Sequence, residues 1–188
     1  MRIILASKSM FRKKALDILG LEYEVIPSSF DEKSIRDKDP ERLAKKLAEA
    51  KAKDVGEKHK DAIVISGDLF VVFNNKIYEK PKNKEEAFEM LKSFSGKELN
   101  SVSSVAVYNS KTKKLVSSAD RSKAKFRKLL DYEIKDYISK YPVLKFSAAF
   151  DSNGLLRFAE RVEGKLSFIT GFSMNELILL LREQGVKV

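Results

Sequence analysis

Cysteine is absent from this chain of 188 residues, and histidine occurs only once. Without cysteine there is no disulfide bond, no thiolate metal site and no cysteine nucleophile. His59 lies between Lys58 and Lys60 near the end of a predicted helix, so we expect it to be exposed and chemically inert rather than a metal ligand or a catalytic base. The chemistry is therefore expected from carboxylates, hydroxyls, lysines and arginines.

Long hydrophobic runs are also missing. No apolar stretch reaches the roughly 18–20 residues that a membrane-spanning helix needs. The apolar run at residues 2–6 is too short for a secretory signal, and polar residues follow it at once. A chain of this length fits one domain or two small lobes that share a core. We therefore expect a single domain over residues 1–188, located in the cytoplasm and without a membrane partner.

The chain has an excess of positive charge, with 37 Lys and Arg against 27 Asp and Glu and a formal net charge of +10. Basic proteins can bind nucleic acids by releasing counterions from the phosphate backbone. The lysines, however, are spread along the whole chain, and most lie at helical spacing beside an acidic residue, which is typical of a solvated surface. We therefore expect no nucleic-acid partner, although a non-catalytic nucleotide- or nucleic-acid-binding protein remains the alternative function.

The order of apolar segments predicts an α/β protein. Strands alternate with helices in the first half and hairpins dominate the second half, a pattern that favours a mixed sheet. A buried strand over residues 61–66 ends at Gly67 and Asp68, and a hairpin turn is predicted at Asn74-Asn75. The apolar pattern of residues 155–162 fits a strand or a helix equally well, and a last helix is predicted over residues 174–183.

The segment between the first predicted strand and the first predicted helix carries hydroxyls and an arginine. Ser7 and Ser9 precede this helix, and Arg12 lies one turn inside it. Backbone N–H groups at a helix N-terminus can hold phosphate, and hydroxyls and a forked guanidinium add further donors. An ordinary serine cap with a surface arginine gives the same pattern, so this segment alone leaves both interpretations open.

Carboxylates follow two of the predicted strands, at the strand ends where α/β proteins place their ligand sites. Asp31 and Glu32 lie in the loop after the second predicted strand, and Asp68 comes directly after the third. Carboxylates so placed can bind Mg²⁺, which prefers oxygen ligands and uses one or two carboxylates together with substrate phosphate. A solvated acidic pair and a structural turn residue are the alternative interpretations.

Two lysines also stand at unusual positions. Lys51 falls within the apolar face of a helix predicted from Pro40 to about residues 53–56, and it either snorkels to water or serves a function. That face is formed by Ala44, Leu47, Ala48 and Val55. Lys80 precedes Pro81, which fixes the backbone after the hairpin, and it is either an exposed loop charge or a phosphate ligand.

Taken together, these residues stand in the order of a known family. The segments are Leu5-Ala6-Ser7-x-Ser9-x-x-Arg12, Asp31-Glu32, Leu47-Ala48-x-Ala50-Lys51-Ala52, Asp68, Lys80-Pro81 and Ser95-Gly96-Lys97. In this order and spacing they resemble the Maf family of nucleoside triphosphate pyrophosphatases. Looser matches continue to Val162-Glu163-Gly164, so the resemblance covers nearly the whole chain.

The resemblance implies a mixed, twisted β-sheet flanked by helices, with two lobes and a cleft, as in Maf and ITPase-like proteins. It also implies hydrolysis of a nucleoside triphosphate to the monophosphate and pyrophosphate, with Mg²⁺ or Mn²⁺ as cofactor, and it allows a homodimer. By the same resemblance, the triphosphate would be held by Ser7, Arg12, Lys51 and Lys80. Glu32 would help to bind the metal, and Asp68 would bind metal and activate the attacking water.

The chain departs from the family pattern at several positions, of which Met10 in place of a proline is one. Phe11 stands where the family has the first of two arginines, and Leu69 replaces a threonine beside Asp68. Phe146 stands at a lysine position and Asn153 at a glutamine position. Leu69 and Asn153 would therefore contact the substrate with fewer polar groups than usual. An apolar pocket discriminates only about 10–200-fold, so we predict a broader or shifted nucleotide preference, which could extend to a modified base.

Overall fold

The computed structural model describes residues 1–188 and contains seven strands and seven α-helices. The strands are β1 (Arg2–Leu5), β2 (Glu24–Val25), β3 (Ala62–Phe73), β4 (Lys76–Tyr78), β5 (Glu98–Asn109), β6 (Leu115–Phe126) and β7 (Ala159–Glu163). The helices are α1 (Met10–Ile18), α2 (Pro40–Gly56), α3 (Lys84–Phe94), α4 (Asp131–Lys140), α5 (Ser152–Phe158), α6 (Ser167–Thr170) and α7 (Met174–Glu183). No helix combines the length and the apolar character that a membrane crossing requires.

All seven strands belong to one sheet, in the order β2-β1-β3-β5-β6-β7, with β4 paired to β3. Strand β1 runs parallel to β2 and to β3, whereas β4 is antiparallel to β3 and β7 is antiparallel to β6. The sheet is therefore mixed, and the predicted α/β class is confirmed.

The chain forms two compact units. The first comprises residues 1–69, 102–120 and 170–188, and the second comprises residues 70–101 and 121–169. Strands β3, β5 and β6 contribute residues to both units because each of them is twelve residues long.

In the first unit, two clusters of buried apolar side chains cover the strands. One brings α1 and α7 onto β1, β3 and β5, through residues such as Leu16, Leu177 and Ile65. The other brings α2 onto the same strands, through Ala48 and Val55 among others. Helix α2 begins as predicted, because Asp39 caps it by accepting the N–H groups of residues 41 and 42 and proline occupies its first turn.

In the second unit, the core is rich in aromatic side chains. The ring of Phe94 from α3 makes edge-on contacts with Phe73, Tyr78 and Phe126. Such tilted and T-shaped pairs are the arrangement that aromatic quadrupoles favour. This core holds α3, α4 and α5 in the second unit.

The structure decides one local assignment that the sequence pattern left open and corrects another. Residues 155–162 are neither one strand nor one helix, since α5 ends at Phe158 and β7 begins at Ala159. The strand predicted over residues 61–66 does not stop at Gly67, but continues through Asp68 to Phe73. The turn at Asn74-Asn75 is confirmed, and both residues have positive φ angles of 50° and 59°, as a tight hairpin requires.

Candidate active site

Arg12 lies in α1 with its side chain directed at the end of β1. Ser9 caps this helix by accepting the N–H of Arg12. The guanidinium donates from Nη1 to Ser7 Oγ at 2.9 Å and from Nε to the carbonyl of Gly171 at 3.2 Å. Two of its five N–H groups are therefore used within the protein, and three are available for a ligand.

Two glycines leave room for this arginine. A Cβ atom added at Gly171 would lie 3.0 Å from Arg12 Cγ, and one at Gly67 would lie 3.3 Å from Arg12 Nε and 2.6 Å from the carbonyl of Ser104. Gly171 also has a φ angle of +80°, which side-chain-bearing residues rarely adopt. The backbone at these two positions thus fixes where the guanidinium lies.

Asp68 occupies the middle of β3, and its surroundings hold it in one orientation. Its backbone N–H donates to Ser104 Oγ at 3.2 Å, and Ser104 Oγ in turn donates to the carbonyl of Ala44 in α2 at 2.7 Å. Its Oδ1 atom accepts the N–H of Leu69 at 2.9 Å. Its Oδ2 atom is buried and has no hydrogen bond, although it lies 3.2 Å from the Nζ atom of Lys51.

Lys51 lies on the buried face of α2 and contacts two carboxylates. Its side chain is 10% exposed, and its Nζ atom is 3.3 Å from Glu32 Oε1 as well as 3.2 Å from Asp68 Oδ2. The two acidic side chains differ in environment, because Asp68 is 13% and Glu32 is 56% exposed. The lysine therefore does not snorkel to water, and it bridges the carboxylates within the first unit.

Glu32 is presented by a loop that Asp54 of α2 anchors. The carboxylate of Asp54 accepts hydrogen bonds from Lys58 Nζ at 2.5 Å, Ser28 Oγ at 2.6 Å and the N–H of Ser29 at 2.9 Å. The bonds from Lys58 and Ser28 lower the pKa of Asp54 to about 2. A short 3₁₀ turn over Glu32–Ser34 then follows, so the loop is fixed just before the acidic residue.

The charges of the site act on one another. The pKa of Arg12 lies below its usual value, chiefly because burial disfavours the charged form, and the nearby carboxylates of Asp68 and Glu32 oppose this shift. Two cations and two carboxylates thus share a partly buried site, in which electrostatic interactions are stronger than in water.

The structure brings five of the residues singled out from the sequence together in the first unit, namely Ser7, Arg12, Glu32, Lys51 and Asp68. Leu69 is adjacent to this group and half-buried. Lys80 and Asn153 belong to the second unit and are exposed there. Asn153 donates from Nδ2 to Asp151 Oδ2 at 3.0 Å, and the substrate contacts expected of both residues stay predictions.

Sequence reasoning assigned no role in the site to Gly171 or Ser104. Gly171 is 159 positions from Arg12, and Ser104 is 36 positions from Asp68. Ser104 lies in a segment that matches the family only loosely and Gly171 lies in none, so only folding reveals their contacts. His59 also differs from expectation, since it is half-buried and its Nδ1 atom lies 3.0 Å from Arg2 Nη2.

Comparison with known proteins places the chain in a family. The family model described as Maf-like protein matches residues 2–184. A dTTP/UTP pyrophosphatase of Aquifex aeolicus is 36% identical over 184 residues, which cover 97% of this chain and 95% of the relative. One of Clostridium tetani is 35% identical over 192 residues and covers both chains completely. The Ham1 protein of Staphylococcus aureus superimposes with a TM-score of 0.51 at 15% identity, covering 98% of this chain and 100% of that one, and so shares its fold. The chain belongs to the Maf-like protein family.

Proposed function

We propose that the protein is a nucleoside triphosphate pyrophosphatase, which cleaves its substrate between the α and β phosphates to give the monophosphate and pyrophosphate. Membership of the Maf-like family and the names of the relatives support this activity. The observation that carries the proposal is the buried Asp68 Oδ2 atom, which has no hydrogen bond and lies beside a lysine. Such an atom is able to accept a proton from water or to bind a cation.

The cations of the site would bind the triphosphate. Arg12 offers three unused N–H groups, and their planar fork suits phosphate oxygens. Ser7 Oγ lies beside the guanidinium and can donate a further hydrogen bond. Lys51 supplies a compact positive charge from the neighbouring helix. In phosphoryl transfer, catalysis is mostly positioning and charge stabilisation, and these groups supply both.

Asp68 would act as the general base. A water molecule attacks the α-phosphorus while the Asp68 carboxylate accepts its proton, and the bond from this phosphorus to the oxygen that bridges to the β-phosphate breaks. Pyrophosphate leaves with that bridging oxygen. The fixed orientation of Asp68, with its N–H and its Oδ1 both hydrogen-bonded, supports this role because the carboxylate need not reorganise.

The carboxylates of Glu32 and Asp68 fit a divalent cation, Mg²⁺ or Mn²⁺. The protein has no group of three or more acidic, histidine or cysteine side chains that could hold a metal by themselves. Two carboxylates are nevertheless what Mg²⁺ commonly uses when substrate phosphates complete its ligands, and Asp68 Oδ2 lacks a hydrogen bond. When bound, the cation would neutralise phosphate charge and polarise the attacked phosphorus.

The preferred substrates are proposed to be dTTP and UTP, because several relatives are named dTTP/UTP pyrophosphatase. The apolar replacements Leu69 and Phe146 favour loose rather than sharp selection, since they remove polar groups that could reject a wrong base. Other triphosphates should therefore be hydrolysed with kcat/KM values within about 200-fold of the best substrate.

Pyrophosphate release over a panel of ribo- and deoxyribonucleoside triphosphates, with Mg²⁺ and with Mn²⁺, tests the proposal. We expect turnover with dTTP and UTP and weaker turnover with the other nucleotides. Selection of one nucleotide by more than about a thousandfold would contradict the loose preference. Nucleotide binding without turnover would instead support the alternative of a non-catalytic binding protein.

A further inference from the structure

Lys51 occupies the position between the two carboxylates that are proposed to hold a divalent cation. Its Nζ atom lies 3.2 Å from Asp68 Oδ2 and 3.3 Å from Glu32 Oε1. The inference drawn from this contact deepens the proposed function and rests on it for the role of the nucleotide.

The lysine depends on these two oxygens. The Lys51 side chain is only 10% exposed, and burial of its charged ammonium group is unfavourable unless an anion compensates the charge. No third acidic group contacts Nζ. The dependence is mutual, because Asp68 Oδ2 is buried and has no hydrogen bond of its own.

We propose that Lys51 takes the place of the divalent cation while no nucleotide is bound. The ammonium group and the metal compete for the same carboxylate oxygens. If both were present, their positive charges would lie close together and would repel each other strongly in a partly buried site. A triphosphate supplies a new anion for Lys51. The lysine then pairs with phosphate oxygens, and the oxygens of Glu32 and Asp68 become available to the cation that accompanies the nucleotide.

The consequence is that binding of metal and binding of phosphate assist each other. A ligand that draws the lysine away from the carboxylates raises their affinity for metal, and by linkage the metal raises the affinity for that ligand. The protein therefore keeps its carboxylates paired in solutions of free divalent cations, and metal binds well only together with the substrate.

The experiment measures Mn²⁺ affinity in the absence of nucleotide, by the loss of the free-ion signal in electron paramagnetic resonance. Lys51→Met should bind Mn²⁺ about tenfold or more tightly than the unaltered protein, because a repelling charge is removed. Lys53→Met is the matched control, since Lys53 is exposed on the same helix, and it should change the affinity by less than about twofold. Lys51→Arg, which retains the charge, should leave Mn²⁺ binding weak.

In a second measurement, the same substitution should weaken binding rather than tighten it. Binding of α,β-methylene-dTTP, followed by calorimetry without metal, should be about tenfold weaker in Lys51→Met, because one cation for the phosphates is lost. If Lys51→Met does not fold, Lys51→Gln keeps a hydrogen-bond donor without the charge, and circular dichroism identifies the variant to use. The double variant Lys51→Met with Asp68→Asn should lose the tight Mn²⁺ site.

Unchanged or weaker Mn²⁺ binding in the neutral variants overturns the proposal, as does tight binding that survives Asp68→Asn. These results are independent of turnover. If the proposed enzymatic function were wrong, the nucleotide panel would fail while Mn²⁺ binding could still tighten. If only the role of Lys51 were wrong, turnover would be observed and Mn²⁺ binding would not tighten.

Discussion

Replacement of Asp68 by asparagine separates the catalytic from the structural contribution of this side chain. Asparagine keeps the size and can still accept the N–H of Leu69 through its side-chain oxygen, a bond of 2.9 Å in the native protein. It removes the charge and the basicity of the buried Oδ2 atom. General bases typically contribute 10²–10⁴-fold, so kcat should fall by about that factor.

The same substitution should lower stability by a predictable amount. At 3.2 Å the attraction between Asp68 and Lys51 has an upper limit of about 5 kcal/mol with an effective dielectric constant of roughly 20. Desolvation of both groups offsets much of this attraction, and Lys51 keeps Glu32 as a partner. We therefore expect a loss of about 2 kcal/mol, which corresponds to a Tm lower by about 4–8 °C.

The assays are steady-state pyrophosphate release with dTTP, and urea and thermal unfolding monitored by circular dichroism. Asp61→Asn is the control, because Asp61 is exposed immediately before β3 and its positive φ angle of 54° suits asparagine. We expect this control to retain both activity and stability. Near-normal turnover in Asp68→Asn would remove this residue from the mechanism and refute the reasoning.

Three further predictions follow from individual contacts. Gly171→Ala should raise KM about fivefold or more, because the added methyl group displaces Arg12. Gly185→Ala is the control, since Gly185 has the same φ angle of +80° but lies in open space, and this variant should lose stability without a change in KM. Equal KM values in the two variants would show that Gly171 does not position Arg12. The hydrogen bonds that lower the pKa of Asp54 to about 2 stabilise the fold above pH 4, and this contribution is lost as the pH falls from about 4 to 2. In urea titrations, Asp54→Asn should be about 1 kcal/mol less stable than the unaltered protein at pH 7, and this difference in stability should disappear towards pH 2. Lys80→Met should raise the KM for nucleotide about tenfold with little change in kcat, and an unchanged KM would place Lys80 outside the substrate site.

Much of the architecture follows from local sequence. Helix α2 begins at Pro40 and α7 spans Met174–Glu183, as predicted, because caps, proline and apolar spacing act within a few residues. The pattern failed where local signals conflict. Glycine and aspartate at 67 and 68 indicate a turn, yet β3 continues through them. Ser104 accepts the N–H of Asp68, and residues 71–73 pair with β4, so tertiary contacts outweigh the local signal.

The sequence by itself determined the family, the α/β class and the residue types of the site, since these depend on the identity and order of amino acids. Only the tertiary structure decided their relations. It places Lys51 between Glu32 and Asp68, and it brings the carbonyl of Gly171 to Arg12 across 159 positions of the chain. Such contacts arise when packed helices and strands bring distant segments together, and no local spacing records them.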